Sequence, residues 1–198
     1  MPDRLQDGAH AALRAATEAA HLRLHAIPVF EALAEGRITR AAYAALLRRK
    51  LGFHAALEAR LAEVPGLDGF GIDLAARRRS HLLHADIAWL GAKPEAPWAP
   101  LPAFGSLPAA IGGLYVAEGS TLGGRQLARA LQPILPPGLD GRRFLLGHGA
   151  RHGEMWHGCC AAIERCGTVP QARAEMTQGA LATFAAFEAW FTDVPAEA

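Results

Sequence analysis

The stretch LPAAIGGLYVAEGSTLGGRQLARAL, from Leu107 to Leu131, sets the terms on which the rest of the chain is read. Its apolar residues recur at helical spacing, and Ser106 with Pro108 close behind supplies a helix start, so it predicts a helix from Ser106 to about Leu131. Yet Gly112, Gly113, Gly119, Gly123 and Gly124 all fall inside it. A glycine in a helix interior costs about 1 kcal/mol against alanine, so something must offset several such penalties. Gly112, Val116, Gly119 and Gly123 recur at i, i+3 and i+4 and form one stripe nearly bare of side chains. Two explanations fit a bare stripe that also lets the helix bend: another helix packed closely in a small-xxx-small pattern, or a flat ligand lying across the glycines.

The first helix carries a second oddity. From Gly8 to His25 the spacing predicts a helix with Leu13, Thr17, Ala20, His21 and Leu24 on one stripe, which points His21 into the bundle. An inward histidine is either a satisfied core residue or a ligand. Arg14 lies seven residues earlier on nearly the same face, about 10.5 Å away along the axis. That separation suits a disc-shaped anionic ligand with a metal at its centre and carboxylates at its edge. Neutral imidazole is a normal axial ligand of heme iron, and Tyr115 on the glycine helix would add a hydrogen bond at the same edge. His25, one turn beyond His21, is a rival for the metal that spacing alone does not eliminate.

Helical spacing extends over the remaining chain, and no run of strict alternation predicts a strand. Pro28 opens a short helix that Gly36 ends, and Thr39 caps a long one reaching Val64, stopped by Pro65-Gly66. Asp73 caps the next, which runs to Gly91 with Leu83, Ile87 and Leu90 inward. Lys93 to Pro102 is a surface loop. Two further helices are expected from Gly149 to Cys166 and from Pro170 to Thr192, the last rich in aromatics and therefore largely buried. The fold class is all-α: one domain over residues 1–198, built as a bundle of six to seven helices.

Composition narrows the function. The 198 residues carry 20 basic and 19 acidic groups, a net charge of +1 spread along the chain, which argues against nucleic acid or an anionic membrane as the main partner. Arg77-Arg78-Arg79 on one turn reads as a solvated face. The opening MPDRLQDGAH has no apolar signal core. The uncharged stretch Ala96 to Ala117 holds four prolines before residue 110, too many for a continuous spanning helix. Three cysteines, Cys159, Cys160 and Cys166, make a poor disulfide framework and no zinc spacing. A cytoplasmic protein with reduced thiols is expected.

With these features in hand, the chain resembles the heme oxygenases, bacterial type. LRAATEAAHLRLH, Leu13 to His25, resembles the family's proximal helix, in which Leu-x-x-x-Thr-x-x-x-His supplies the iron ligand. LYVAEGSTLGGRQL, Leu114 to Leu127, resembles its distal helix, with the bacterial Glu-Gly-Ser core. LGFHAALE from Leu51, RSHLLHADIAWLG from Arg79, the segment around Trp156 and the ATFAAFEAWF tail extend the similarity over nearly the whole chain in order. The resemblance implies heme held between the first helix and the kinked glycine-rich helix, as both substrate and cofactor. It implies His21 as iron ligand, Arg14 and Tyr115 at the propionates, and Gly119, Gly123 and Gly124 against the opposite heme face. Mammalian members carry an aspartate where Ser120 stands, as bacterial ones carry serine, so the water network needs another anchor, for which His54 is the candidate. The implied reaction opens heme to biliverdin with O2, releasing iron and carbon monoxide. Electrons would come from an external reductase or ferredoxin, since no nucleotide-binding glycine loop follows a strand. Iron acquisition and supply of a bilin to a photoreceptor both fit.

Two other readings stand beside it. Glu18-x-x-His21 and Glu154-x-x-His157, with Glu58 and Glu118, would make the ligand set of a di-iron oxidase on the same fold. A non-catalytic heme carrier or sensor would keep the same ligation residues without turnover.

Overall fold

The structure, a computed structural model, describes residues 8–195; the opening stretch read for a signal core lies almost wholly outside them. Among the described residues there are ten α-helical segments and no strand: α1 (Ala9–His25), α2 (Pro28–Ala34), α3 (Arg40–Ala62), α4 (Leu74–Arg77), α5 (Ser80–Trp89), α6 (Leu107–Gly119), α7 (Gly124–Ala130), α8 (Arg143–Leu146), α9 (His152–Cys166) and α10 (Pro170–Phe191). No described helix is long and apolar enough to cross a membrane. Thr39 and Ser106 cap α3 and α6 as their sequence positions require, each accepting from a backbone N–H three residues on.

Two expected helices are broken, each for a local reason. The helix from Asp73 stops at Arg77 and restarts at Ser80. Glu58, projecting from α3, accepts from the Arg79 and Ser80 backbone N–H groups at 2.8 and 2.9 Å and from the Ser80 hydroxyl at 2.6 Å. A carboxylate supplied from another helix satisfies the orphan donors that open α5, so the chain gains a second N-terminus. The same break turns Arg77 and Arg79 inward, to 8% and 3% exposure. The expected solvated arginine face is thereby corrected: of the three, only Arg78 stays outside.

The glycine helix ends at Gly119 and resumes at Gly124. The Ser120 and Thr121 hydroxyls donate to the Ala117 and Glu118 carbonyls at 2.6 and 2.7 Å, and Thr121, Leu122 and Gly124 N–H groups close three-residue turns. Hydroxyls that compete for backbone carbonyls loosen a helix at that point, and tighter turns take over.

Helix α10 is the floor of the molecule, with α6 and α1 both packed along it. The approach of α6 to α10 is close enough to require glycine on both sides. A Cβ on Gly112 would stand 2.0 Å from the Met176 carbonyl oxygen, and one on Gly179 would stand 2.1 Å from that of Ala109. Small-residue packing thus explains Gly112, and the single stripe expected from Gly112 to Gly123 divides into two parts with different work.

Candidate active site

The division of the glycines locates the site. Gly113 faces Phe104, where a Cβ would come within 2.3 Å of the ring, and Gly124 faces the Leu145 carbonyl of α8, where it would come within 1.9 Å. Both are packing positions, and the expectation that Gly124 lies on the ligand face is corrected: its bare side is turned to α8. Gly123 has nothing within 4 Å of its Cβ position, and Gly119 meets only the Trp156 ring at 3.9 Å, an ordinary contact. These two alone among the five leave backbone open to a neighbour that is not protein.

Helix α1 brings the other half. Leu13, Thr17 and Ala20 are buried, whereas Arg14 and His21 are exposed, which corrects the inward direction expected for His21. At about 100° per residue His21 and Arg14 fall within about 20° of each other, on the shoulder of the apolar stripe instead of its centre. The His21 ring is partly shielded, with the Phe184 ring of α10 at 6.3 Å and the His25 ring at 4.7 Å. Burial first, then His25 and Arg14, lower its pKa from the usual histidine value, so the neutral, metal-ligating form dominates at neutral pH.

Tyr115 joins the halves. Its hydroxyl stands near that of Thr17, which gives its own proton to the Leu13 carbonyl at 2.9 Å. Burial raises the phenol's pKa, against the opposing pull of Thr17 and of Arg14 nearby, so it remains a protonated donor. His21 and Gly119 each lie one helical turn, about 6 Å along the axis, from this contact on their own helices. Trp156 of α9 closes one side, its ring 5.6 Å from His10 and 6.1 Å from Tyr115.

Behind the open turn lies a charged group that sequence reasoning missed. Arg79 donates to the Ala117 carbonyl at 2.7 Å and the Ser120 hydroxyl at 3.2 Å, so it holds the turn between Gly119 and Gly123. Arg77 Nη1 lies 3.2 Å from Glu118 Oε1 and donates to the Met155 carbonyl at 3.0 Å. His148 Nε2 completes the group, 3.4 Å from Glu118 Oε1 and 3.3 Å from Oε2. Burial pushes the Glu118 carboxyl up, but His148, Arg77 and Arg79 outweigh it and hold it below the ordinary range. Removing one partner of a buried pair leaves an uncompensated charge, so Glu118→Ala is expected to lose about 3–5 kcal/mol of stability in urea denaturation, with Glu118→Gln losing less. His54 on α3 is buried, its ring 4.7 Å from Phe144. Burial, then Arg79 and Lys50, hold its pKa well below the usual histidine value, so it is a neutral imidazole. The break after Arg77 and the side-chain partner in α3 that causes it left no trace in local periodicity, which is why this group was not legible.

The di-iron ligand set is not assembled. Among the described residues no three His, Cys, Asp or Glu side chains come together as a metal site; Glu58 caps α5, Glu118 binds Arg77 and Glu154 pairs with Arg151 at the surface.

The bundle thus brings Tyr115, one turn from a bare stretch of backbone, to Thr17, one turn from His21. The family model described as heme oxygenase matches residues 7–193, and the chain belongs to the heme oxygenase family. It is 35% identical over 167 residues to a heme oxygenase of Xanthomonas campestris, covering 80% of this chain and 94% of that one. The fold matches the NO- and CO-bound heme oxygenase of Neisseria meningitidis with a TM-score of 0.75 at 26% identity, covering 95% of this chain and 92% of that one. It matches heme oxygenase-1 of Synechocystis, solved in complex with heme, with the same TM-score at 15% identity, covering 94% and 91% of the two chains. This chain is accordingly a heme-binding enzyme that opens heme to biliverdin, with release of iron and carbon monoxide.

Proposed function

We propose that heme lies between α1 and the Gly119–Gly123 turn, with His21 as its iron ligand, Arg14 and Tyr115 at its carboxylate edge, and O2 reaching the face beneath Gly119 and Gly123. The observation that carries this reading is the open space at Gly123 and the uncrowded position of Gly119, in a segment whose other glycines are all packed against protein. A heme fits what is present: an exposed imidazole of lowered basicity, with a cation and a phenol donor near one another on α1 and α6, and backbone that no Cβ obstructs.

When bound, heme supplies the iron at which O2 is reduced and is itself the ring that is cut. The protein's contributions are positional. His21 would hold the iron. Arg14 and Tyr115 would hold the carboxylate edge through charge-assisted hydrogen bonds. Gly119 and Gly123 present N–H dipoles without side chains to block a diatomic ligand. The Ser120 hydroxyl and His54 hold the solvent that must deliver protons there, with Arg79 keeping Ser120 in place. Electrons come from a separate donor protein, an external reductase or ferredoxin, and the product passes either to disposal after iron release or to a bilin-binding photoreceptor.

Titration with hemin, followed by ascorbate or ferredoxin and its reductase under air, tests the reading. A Soret band that decays into the broad red absorption of biliverdin supports it. Saturable binding without decay under either donor, or no binding, overturns it.

A further inference from the structure

Lys50 has no part in any of these roles, and its setting is unusual. It lies on α3, 8% exposed, with its ammonium 4.8 Å from the Phe30 ring, 5.7 Å from Phe144, 5.4 Å from Phe187 and 5.5 Å from Phe191. The described residues give it no ion pair. Four aromatic faces offset part of the cost of burying a cation, yet methionine or leucine would fill the same box without that cost. The choice of amine is equally pointed. Of the chain's 20 Lys and Arg, only Lys50 and Lys93 are lysine. Arginine stays charged at any pH proteins meet, whereas a buried lysine can release its proton. A residue kept against local preference marks a functional demand.

The surroundings say what the demand is. The Phe144 ring is a hub for three basic groups: the Lys50 ammonium at 5.7 Å, the Arg79 guanidinium at 4.9 Å and the His54 ring at 4.7 Å. Lys50 and His54 are one turn apart on α3, and Arg79 runs on to Ser120 and the open turn. The groups that face Lys50 are thus His54 from its own helix and Arg79 from the α4–α5 break. Helices α2, α8 and α10 present aromatic rings to it, while Glu58 and Glu118 face Arg79, and Asp86 and Arg143 lie at the backbone side of Phe144. Burial first, then Arg79, push the Lys50 amine down to about 7. A cleft of about 390 Å³, with Trp98 and Arg78 at its surface, reaches His54 and Arg79 from outside.

We propose that Lys50 is the proton store of the site, handing a proton through His54 to the solvent held beside Ser120 and recovering one from water in the cleft. The inference rests on the heme-site reading above. In the transfer an N–H bond of the Lys50 ammonium breaks as one forms on His54. The proton on the other His54 nitrogen passes to water at the open turn. Reprotonation runs the relay backwards: water in the cleft that His54 lines gives a proton to the nitrogen that lost one, and His54 passes its other proton to the Lys50 amine, so both side chains are restored over a cycle.

The sign of the pH dependence follows. A donor is competent when protonated, so turnover should fall as pH rises through about 7. Because the folded pKa is depressed, the stability penalty of Lys50 is full below that pH and fades towards the ordinary lysine range. Lys50→Met should therefore melt at a higher temperature than wild type at pH 6–7, an advantage that shrinks as pH rises.

The test compares wild type, Lys50→Met and Lys50→Arg. Selective ¹³C labelling of the two lysines in the ligand-free protein should show an amine titrating near 7, a signal that vanishes in Lys50→Met. All three proteins should bind hemin alike, while Lys50→Met turns over about 10²-fold more slowly and neither variant keeps the fall through pH 7. The absence of any lysine signal titrating near 7 in wild type overturns the proposal without any variant having to fold. So does a pH limb that survives in Lys50→Arg or Lys50→Met. Loss of hemin binding in wild type would instead sink the heme-site reading.

Discussion

His21→Ala is expected to lower heme turnover by more than about 100-fold, because loss of even a group that only orients a metal ligand costs about 10–100-fold. His25→Ala should leave turnover within a few-fold of wild type. The two rings touch edge to face at 4.7 Å, so each variant also reports on the other. If His25 were the ligand, the two phenotypes would exchange. The ligand-free protein should be nearly indifferent to either change, since both side chains are exposed and surface substitutions of this kind fall within about 0.5 kcal/mol. Absorption spectra with hemin and added imidazole separate the cases further: exogenous imidazole should restore a histidine-like spectrum to His21→Ala by entering the space the side chain left. A normal spectrum in His21→Ala before imidazole is added would refute the assignment.

The second large effect divides the glycines. Gly112→Ala and Gly124→Ala set a methyl group 2.0 and 1.9 Å from backbone carbonyl oxygens. Alanine gains about 1 kcal/mol in helix propensity, but overpacking costs about 1–3 kcal/mol or more, and a backbone carbonyl cannot rotate aside as a side chain can. The clash wins, and both variants should unfold at lower urea. Gly123→Leu should do the reverse: its side chain enters open space, so ligand-free stability stays near wild type, while hemin affinity falls about tenfold or more as the same space is filled. Urea midpoints and hemin titrations on one set of samples measure both. A Gly123→Leu protein with normal hemin affinity would remove the observation on which the proposed heme site rests.

Periodicity in α1, α3, α9 and α10 was strong enough to fix those helices to within a few residues, because each packs a continuous apolar stripe on one core. The motifs Leu13–His25 and Leu114–Leu127 likewise named the family. Sequence placed Arg14 and His21 on one flank, since seven residues return a helix to nearly the same angle. It could not place that flank relative to solvent, because burial depends on which neighbour arrives, and here α6 brings Tyr115 to Thr17 while His21 stays at the rim.

What the sequence by itself determined is the helical class and the family, both of which are local or reside in short motifs. What only the tertiary structure decided is the work each residue does. The five glycines are alike in sequence, yet three are occupied by the Met176 carbonyl, the Phe104 ring and the Leu145 carbonyl, and two are open. Arg77 and Arg79 read as surface until Glu58, about twenty residues away, broke their helix and turned them inward. Lys50 looks like any helix-face lysine until rings from three other helices enclose it. In each case the deciding partner is distant in the chain, and its energy of contact outweighs a local preference of about 1 kcal/mol or less per residue.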